Sequence, residues 1–413
     1  MADELGVWLH GVPVAHLSRR RSGDLAITYD SKLVAARGAG ALCLSVALPL
    51  AEKPYIGQAA KRWLEGLLPE GETRTALEEA FAVERGDTFA LLAAIGRDCA
   101  GAVSFLPPGE QPAGGDLEAI TDDQLADLLD SLPEHPLGAE PDVPVSLAGL
   151  QQKLLLARLG GGWARPRGGA PSTHILKPDP VARPGLVASE ALSLQAAALA
   201  GIDVAHVELI DIAGRPVLVV ERYDRRRNGR SVERLHQEDG SQALGLEPTG
   251  MAKYERKTGD PTYDQLAGVL ADHALDPGAE LRKLAEAMTC NVALHNVDGH
   301  ARNHSFLIAD GAVAFAPLYD IAPAVEFTKL RTAALRVAGE DRVERISAIH
   351  LILEARSWGI PNDEAEEVVI GTLKRLFETL PAAADRLTVP AAMVKRMRGR
   401  VRDLLQRWRH RDR

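Results

Sequence analysis

LHNVDGHARNHSFLIADGAVAFAPLYDI, residues Leu294 to Ile321, is unusually rich in polar and titratable side chains. It follows AELRKLAEAMTCNVALHN, where Leu281, Leu284, Ala287, Met288, Val292 and Leu294 recur roughly at helical spacing, so the polar segment begins where a buried helix ends. A short strand-like run, HSFLI, comes next. Asp298 and Asn303 bracket four residues in DGHARN, which is the Asp-to-Asn spacing of a protein-kinase catalytic loop. Asp320, in LYDI after the strand-like AVAFAPL, can deliver a further carboxylate from a second loop, although neither Phe nor Gly follows it.

Phosphoryl transfer needs a carboxylate to accept the hydroxyl proton, oxygen ligands for Mg²⁺ and a lysine on the nucleotide phosphates. Asp298 fits the base, and Asn303 with Asp320 the metal ligands. The competing readings are an Asx turn beside a loop carboxylate, or a zinc hydrolase built from His295, His300, His304 and Asp298. The histidine spacing is not HExxH, and the glycine of DGH points to a turn rather than one helical face. His300 reads more simply as a structural or substrate-side hydrogen-bonding group.

Upstream, Lys177 ends the strand-like THILK and can face the phosphates, with Glu190 in the next helix as its partner; a solvated strand-end lysine and a glutamate favoured by the helix dipole are the alternatives. In VLVVERYDRR an apolar strand breaks into Glu221, Arg222, Tyr223 and Asp224. Backbone groups of Glu221 and Tyr223 there can meet an adenine edge, against the plainer reading of a surface ion pair.

The 413 residues, 46% hydrophobic, suffice for two or more domains with real cores. No run of about 18 apolar residues occurs, and the opening MADELGVWLHG lacks the features of a signal peptide. A cytoplasmic protein without membrane contact is expected. Cys43, Cys99 and Cys290 form no CxxC pair and read as buried thiols. The net charge of −9 argues against a nucleic-acid coat. The tail VKRMRGRVRDLLQRWRHRDR is nevertheless basic: either an amphipathic helix with Val394, Met397, Val401, Leu404, Leu405 and Trp408 inward, or a phosphate-backbone contact within an assembly.

Along the chain, residues 1–108 read as a small mixed α/β domain, and 109–144 as an acidic, Pro/Gly-rich connection around the helix TDDQLADLLDSL. Residues 145–234 read as a kinase N-lobe-like part: strands QQKLLLARL and STHILKP separated by the loop GGGWARPRGGAP, then a helix and a hairpin turning at AGR. Residues 235–413 read as a largely helical C-terminal lobe. The expected class is α+β, a two-lobed protein-kinase-like fold.

Several phrases together resemble one family, the HipA-type toxin serine/threonine kinases of bacterial toxin–antitoxin modules. They are VSLAGLQQKLLL (145–156), THILK (173–177), VVERYDR (219–225), RLHQEDGSQALG (234–245), KYE (253–255), VDGHARNHS (297–305) and LYDI (318–321), preceded by GLLPE (66–70) and IGRDCAGAV (95–103). The resemblance implies a HipA-like fold, ATP and Mg²⁺ as cofactors, Asp298 as base, Asn303 and Asp320 as metal ligands and Lys177 on the phosphates. It implies a nucleotide site that includes Ser146, Leu147, Ala148, Gly149, Lys153, Glu221, Tyr223 and His300. Ser146, the serine of SxAGxQxK, would be autophosphorylated to silence the kinase. Partners implied are a helix-turn-helix, HipB-like antitoxin, operator DNA through that antitoxin, and a protein substrate such as an aminoacyl-tRNA synthetase. This chain has Gln151, Gln152 and Lys153 where the family loop reads Gln-Glu-Lys, and only Gly259 where a double glycine follows KYE.

Two further functions are compatible with this plan: a pseudokinase acting mainly as corepressor with its antitoxin, and a small-molecule kinase. The complete set Lys177, Asp298, Asn303 and Asp320 favours catalysis over the first. The N-terminal domain, which resembles only the toxin family, disfavours the second.

Overall fold

The computed structural model describes residues 3–132, 135–140, 143–149, 151–229 and 231–409. The last four residues of the basic tail, 410–413, and Leu150 of the SxAGxQxK segment lie outside the described residues. The chain divides into two compact units: Met1–Pro178 with Val219–Gly250 and Leu307–Ala312, and Asp179–Leu218 with Met251–Phe306 and Val313–Arg413. Among the described residues no helix is long and apolar enough to cross a membrane.

The first unit opens with an antiparallel sheet in the spatial order Tyr55–Ile56, Leu25–Tyr29, Val12–Arg19, Glu4–Leu9, Val103–Leu106. Alternation puts Leu5, Val7, Leu17 and Ile27 inward against Trp63, Leu64 and Phe105, all buried. The stretch AAKRWLEGLLPEGETRTALEEAFA forms two helices, Gln58–Gly66 and Gly71–Ala80, because Pro69 interrupts it. A second sheet carries the end of Arg215–Glu221, then His174–Pro178, Leu154–Leu159, Gly162–Arg167 and Asp116–Ile120 in spatial order.

Two of those strands escape sequence reading. GGGWARPRGGAP, read as a loop, carries Gly162–Arg167, whose Ala164 pairs with Ala157 on one side and Ala119 on the other. Its glycines and Pro166 mask a strand pattern in which Trp163 and Ala164 are buried. The acidic stretch 109–144 contributes the edge strand Asp116–Ile120 as well as the helix Asp122–Asp130, closed by a capping box between Thr121 and Gln124.

The second unit is mainly helical. Asn362–Ala384 packs against Leu186–Leu199, Pro277–Ala293 and Ala391–Arg409. Val369, Leu373 and Leu376 of that helix are buried, as are Leu284, Met288, Met397, Val401 and Leu404. Of the inward stripe read in the basic tail, Met397, Val401 and Leu404 are buried while Val394, Leu405 and Trp408 are half-buried, with most of the arginines outside. Pro277–Ala293 starts where Asp276 accepts a bond from the Ala279 N–H, with Pro277 in the first turn, and ends at Leu294. His295 then takes a positive φ of 58° and turns the chain into the polar loop.

Candidate active site

Asp298 enters its loop under tight local control. Its backbone N–H donates to Asn296 Oδ1 at 3.1 Å, and its carbonyl accepts from Asn303 Nδ2 at 2.9 Å. The four-residue spacing therefore closes the loop on itself through Asn303. Asn303 Nδ2 is committed to that carbonyl, which leaves Oδ1 as the atom it can offer a cation. Asn296 also donates to the Asp320 carbonyl at 3.3 Å and to Asn291 Oδ1 at 2.9 Å. One amide thus joins the Asp298 loop, the Asp320 loop and the helix that precedes both. Gly299 is required here, since a Cβ on it would stand 2.9 Å from the Asn291 amide.

Asp320 has φ of 57°, in the left-handed region that few side chains other than those of Asn and Asp enter. Burial pushes the Asp298 carboxyl above its ordinary range. The Tyr254 hydroxyl, which donates to Oδ1 at 2.6 Å, pulls it back, the Asp320 charge adds to the rise, and Lys253 and Arg183 oppose it. Two carboxylates that repel each other beside an amide oxygen form a hard, anionic donor set. That suits Mg²⁺, which takes oxygen ligands, through Asn303 Oδ1 and Asp320.

The histidines do not form a zinc site. His304 faces the His300 carbonyl through Nδ1 at 2.9 Å and lies edge-on to Tyr263; burial lowers its pKa to about 4. His295 is likewise lowered to about 4, mainly by burial, and His300 falls well below the usual imidazole range for the same reason. His300 is buried, its ring edge-to-face with Tyr254 at 5.2 Å. Among the described residues no cluster of three His, Cys, Asp or Glu side chains could hold a metal.

In the first unit, Ser146 is fully buried. Its N–H donates to the Asp98 carbonyl at 2.9 Å and its hydroxyl to the Leu67 carbonyl at 2.8 Å. Leu147 packs on the unit's core, and Lys153 Nζ reaches back to the Ala148 carbonyl, closing the loop over Gly149. Gly149, at φ 118°, holds a backbone conformation that L side chains rarely adopt, and a Cβ there would displace Lys153 Nζ, 2.4 Å away. Lys177 lies buried in the strand His174–Pro178. The strand Arg215–Glu221 ends at Glu221, and the next N–H, that of Arg222, pairs with the Thr173 carbonyl at 3.0 Å. The Tyr223 hydroxyl donates to Gln237 at 2.6 Å. Glu190, in the second unit, is a buried residue of the helix Leu186–Leu199.

Sequence reasoning missed the buried charges beneath these loops. Asp98 accepts from Arg225 at 2.9 Å, Arg234 at 3.0 Å, Ser172 Oγ at 2.7 Å and the Ser172 N–H at 3.0 Å. Arg222 grips Asp224 through two nitrogens, at 3.0 and 2.8 Å, and also reaches Ser172 Oγ and the Cys99 carbonyl. Burial would raise both carboxyls, yet the guanidiniums reverse this and hold Asp98 and Asp224 below the usual carboxylate range. One network therefore anchors the Ser146 backbone, the entry to the Lys177 strand and the Glu221–Tyr223 segment. Asn291, Asn296, Lys253 and Tyr254 were missed as well; KYE was visible only as a phrase.

The strand-rich and helical units, with these loops, define a HipA-like two-domain architecture of the α+β class. Residues 5–106 match the HipA N-terminal domain and residues 145–380 the HipA-like C-terminal domain. The chain belongs to the HipA family of serine/threonine-kinase toxins. Y4mE of Sinorhizobium fredii is 37% identical over 339 residues, 79% of this chain and 78% of the relative. The serine/threonine-protein kinase toxin HipA of Shewanella oneidensis is 30% identical over 334 residues, 78% of this chain and 75% of the relative. A chain in the solved complex of the Shewanella oneidensis toxin–antitoxin system, containing HipA, HipB and operator DNA, superposes with a TM-score of 0.84 at 26% identity, covering 98% of this chain and 97% of that one.

Proposed function

We propose that this chain is an ATP-dependent serine/threonine protein kinase that uses Asp298 as base. The observation that carries this reading is Asn296, whose single amide ties the backbone of Asp298 to that of Asp320. The acceptor hydroxyl oxygen attacks the γ-phosphorus of ATP and loses its proton to the Asp298 carboxylate; the bond to the β–γ bridging oxygen breaks and ADP leaves. Asn303 and Asp320 would hold Mg²⁺, which when bound would supply positive charge against the phosphates. Lys177 contributes a further cation there, the 146–149 loop with Lys153 supplies backbone to the phosphates, Glu221 and Tyr223 meet the adenine edge, and His300 borders the base. Asp320→Asn should weaken Mg²⁺-dependent nucleotide binding measured by calorimetry; unchanged binding would remove Asp320 from the metal site.

The substrate is a serine of a translation component, with an aminoacyl-tRNA synthetase the leading candidate, so that phosphorylation arrests growth in the cytoplasm. A HipB-like helix-turn-helix antitoxin neutralises the toxin and joins it to operator DNA, the partners seen with the Shewanella HipA, with exposed arginines of the last helix such as Arg402 and Arg407 available to phosphates. Mass spectrometry of a cell lysate incubated with the purified protein and ATP tests the activity. One dominant new phosphoserine is expected, and no new phosphosite would overturn it.

Ser146 serves as the off switch. Its hydroxyl is buried and donates to the Leu67 carbonyl at 2.8 Å, so a phosphate carrying about −1.5 to −2 charges would replace that donor with negative charge facing a carbonyl oxygen. Phosphorylation therefore requires the loop to leave and prevents its return. Intact-mass analysis should find one phosphate, on Ser146, in wild-type protein made in cells and none in Asp298→Asn, with weaker ATP binding by the phosphorylated fraction. A phosphate mapped elsewhere, or unaltered ATP affinity, would refute the switch.

A further inference from the structure

Tyr254 reaches the Asp298 carboxylate from outside the Asp298 loop, and three independent restraints hold it there. Glu255, next in the chain, donates its N–H to the Ala334 carbonyl at 2.8 Å, and its carboxylate accepts from the Arg336 N–H at 2.8 Å. Arg256 donates to the Ala333 carbonyl at 2.9 Å while its guanidinium lies 5.2 Å over the Tyr254 ring. On the other side the ring stands at 89° to His300, a residue of the loop that carries Asp298. Backbone, ring face and ring edge are thus all restrained, with the hydroxyl on Asp298 Oδ1 at 2.6 Å. Such a short bond from a phenol to a carboxylate is of the strong, charge-assisted kind.

A carboxylate on a single Cβ–Cγ axis can rotate, and a base that rotates presents the wrong oxygen, or the wrong lone pair, to an incoming hydroxyl. The Asp298 backbone is held by Asn296 and Asn303, but neither restrains the carboxylate plane. We propose that Tyr254 is a positioning residue for the phosphoryl transfer: its hydroxyl holds Asp298 Oδ1, so that Oδ2 is presented to the acceptor hydroxyl. This rests on the kinase reading above. The second half of KYE acquires a physical reason, because Glu255 pins the segment whose tyrosine aims the base.

Tyr254→Phe removes one oxygen and keeps the ring that packs on His300. Its kcat for protein phosphorylation should fall on the order of 10–100-fold, with KM for ATP and calorimetric Mg²⁺–ATP affinity unchanged. The effect should vanish in an Asp298→Asn background, since a residue acting only through the base has nothing left to position. A readout without nucleotide is the Raman tyrosine doublet. The wild-type minus Tyr254→Phe difference should show a strongly donating phenol, weaker when the same pair is compared in Asp298→Asn. A Tyr254→Phe enzyme as fast as wild type, or faster, would overturn the proposal, the faster one marking the contact as a block on the base. So would an equal loss in both backgrounds. Absence of transfer by the wild-type protein would instead refute the kinase reading, while the Raman comparison would still report the Tyr254–Asp298 bond.

Discussion

Asp298→Asn is expected to lower phosphoryl transfer on the order of 10²–10⁴-fold, the usual contribution of a positioned base, while leaving nucleotide binding nearly intact. The amide keeps the shape of the carboxylate and its Oδ1 can still accept from Tyr254, so only the proton acceptor is lost. Stability should move the other way. The Asp298 carboxyl is raised chiefly by burial, so the folded protein holds this proton more tightly than the unfolded chain does. A raised carboxyl pKa gives stability at acid pH that is lost as pH climbs from the unfolded towards the folded value, and at neutral pH the ionised group is a net cost. The Asn variant should therefore melt at or above the wild-type temperature at pH 7, with the gap closing on acidification. Thermal melts across pH and single-turnover kinetics with radiolabelled ATP check both halves. Near wild-type transfer would remove Asp298 from the role of base.

Asp98→Ala should be the most destabilising single change at the network beneath the Ser146 loop. Asp98 is completely buried among Arg222, Arg225 and Arg234, and removing it leaves guanidiniums in a dry interior without their counter-charge. Breaking a buried pair in this way costs about 3–5 kcal/mol. Arg225, whose pKa burial and the neighbouring Arg222 already lower to about 10, would bear much of that cost. The pH dependence has the opposite sign to that of Asp298. Asp98 and Asp224 are depressed, so their stabilisation is present above the unfolded carboxylate pKa, about 4, and is lost as pH falls below it towards their folded values. Urea denaturation should show a large wild-type advantage at pH 7 that shrinks under more acidic conditions. A loss of less than about 1 kcal/mol, the range of an exposed ion pair, would mean that the network is not what holds these segments.

The Asp298–Asn303 spacing was legible because the bond from Asn303 Nδ2 to the Asp298 carbonyl closes within one short loop. The end of the helix Pro277–Ala293 was legible for a similar reason, since apolar periodicity stops where the polar loop begins. The strand Gly162–Arg167 was not. Its glycines, proline and arginines give no strand signal, and pairing with neighbours on both sides overrides that local preference. The tail helix was read correctly because its apolar stripe repeats over several turns.

The family phrases themselves acquire causes only in three dimensions. Gly66 of GLLPE lies where a Cβ would meet Gln242 of HQEDGSQALG at 2.4 Å, and Gln242 donates to the Trp63 carbonyl at 2.9 Å. Gly101 of IGRDCAGAV donates its N–H to Asp224 of VERYDR at 2.7 Å, and a Cβ there would strike the Gln237 backbone. Residue types, the order of the phrases and the short-range spacing of Asp298 and Asn303 belong to the sequence alone, because local turns and periodic faces depend on neighbours a few positions away. The Tyr254 bond to Asp298 spans 44 residues, the Ser146 bond to Leu67 spans 79 and the Arg225 bond to Asp98 spans 127. Tertiary structure alone decided these partnerships, since a buried charge or hydroxyl must be satisfied by whatever group folding brings within hydrogen-bond reach, and chain distance does not limit that choice.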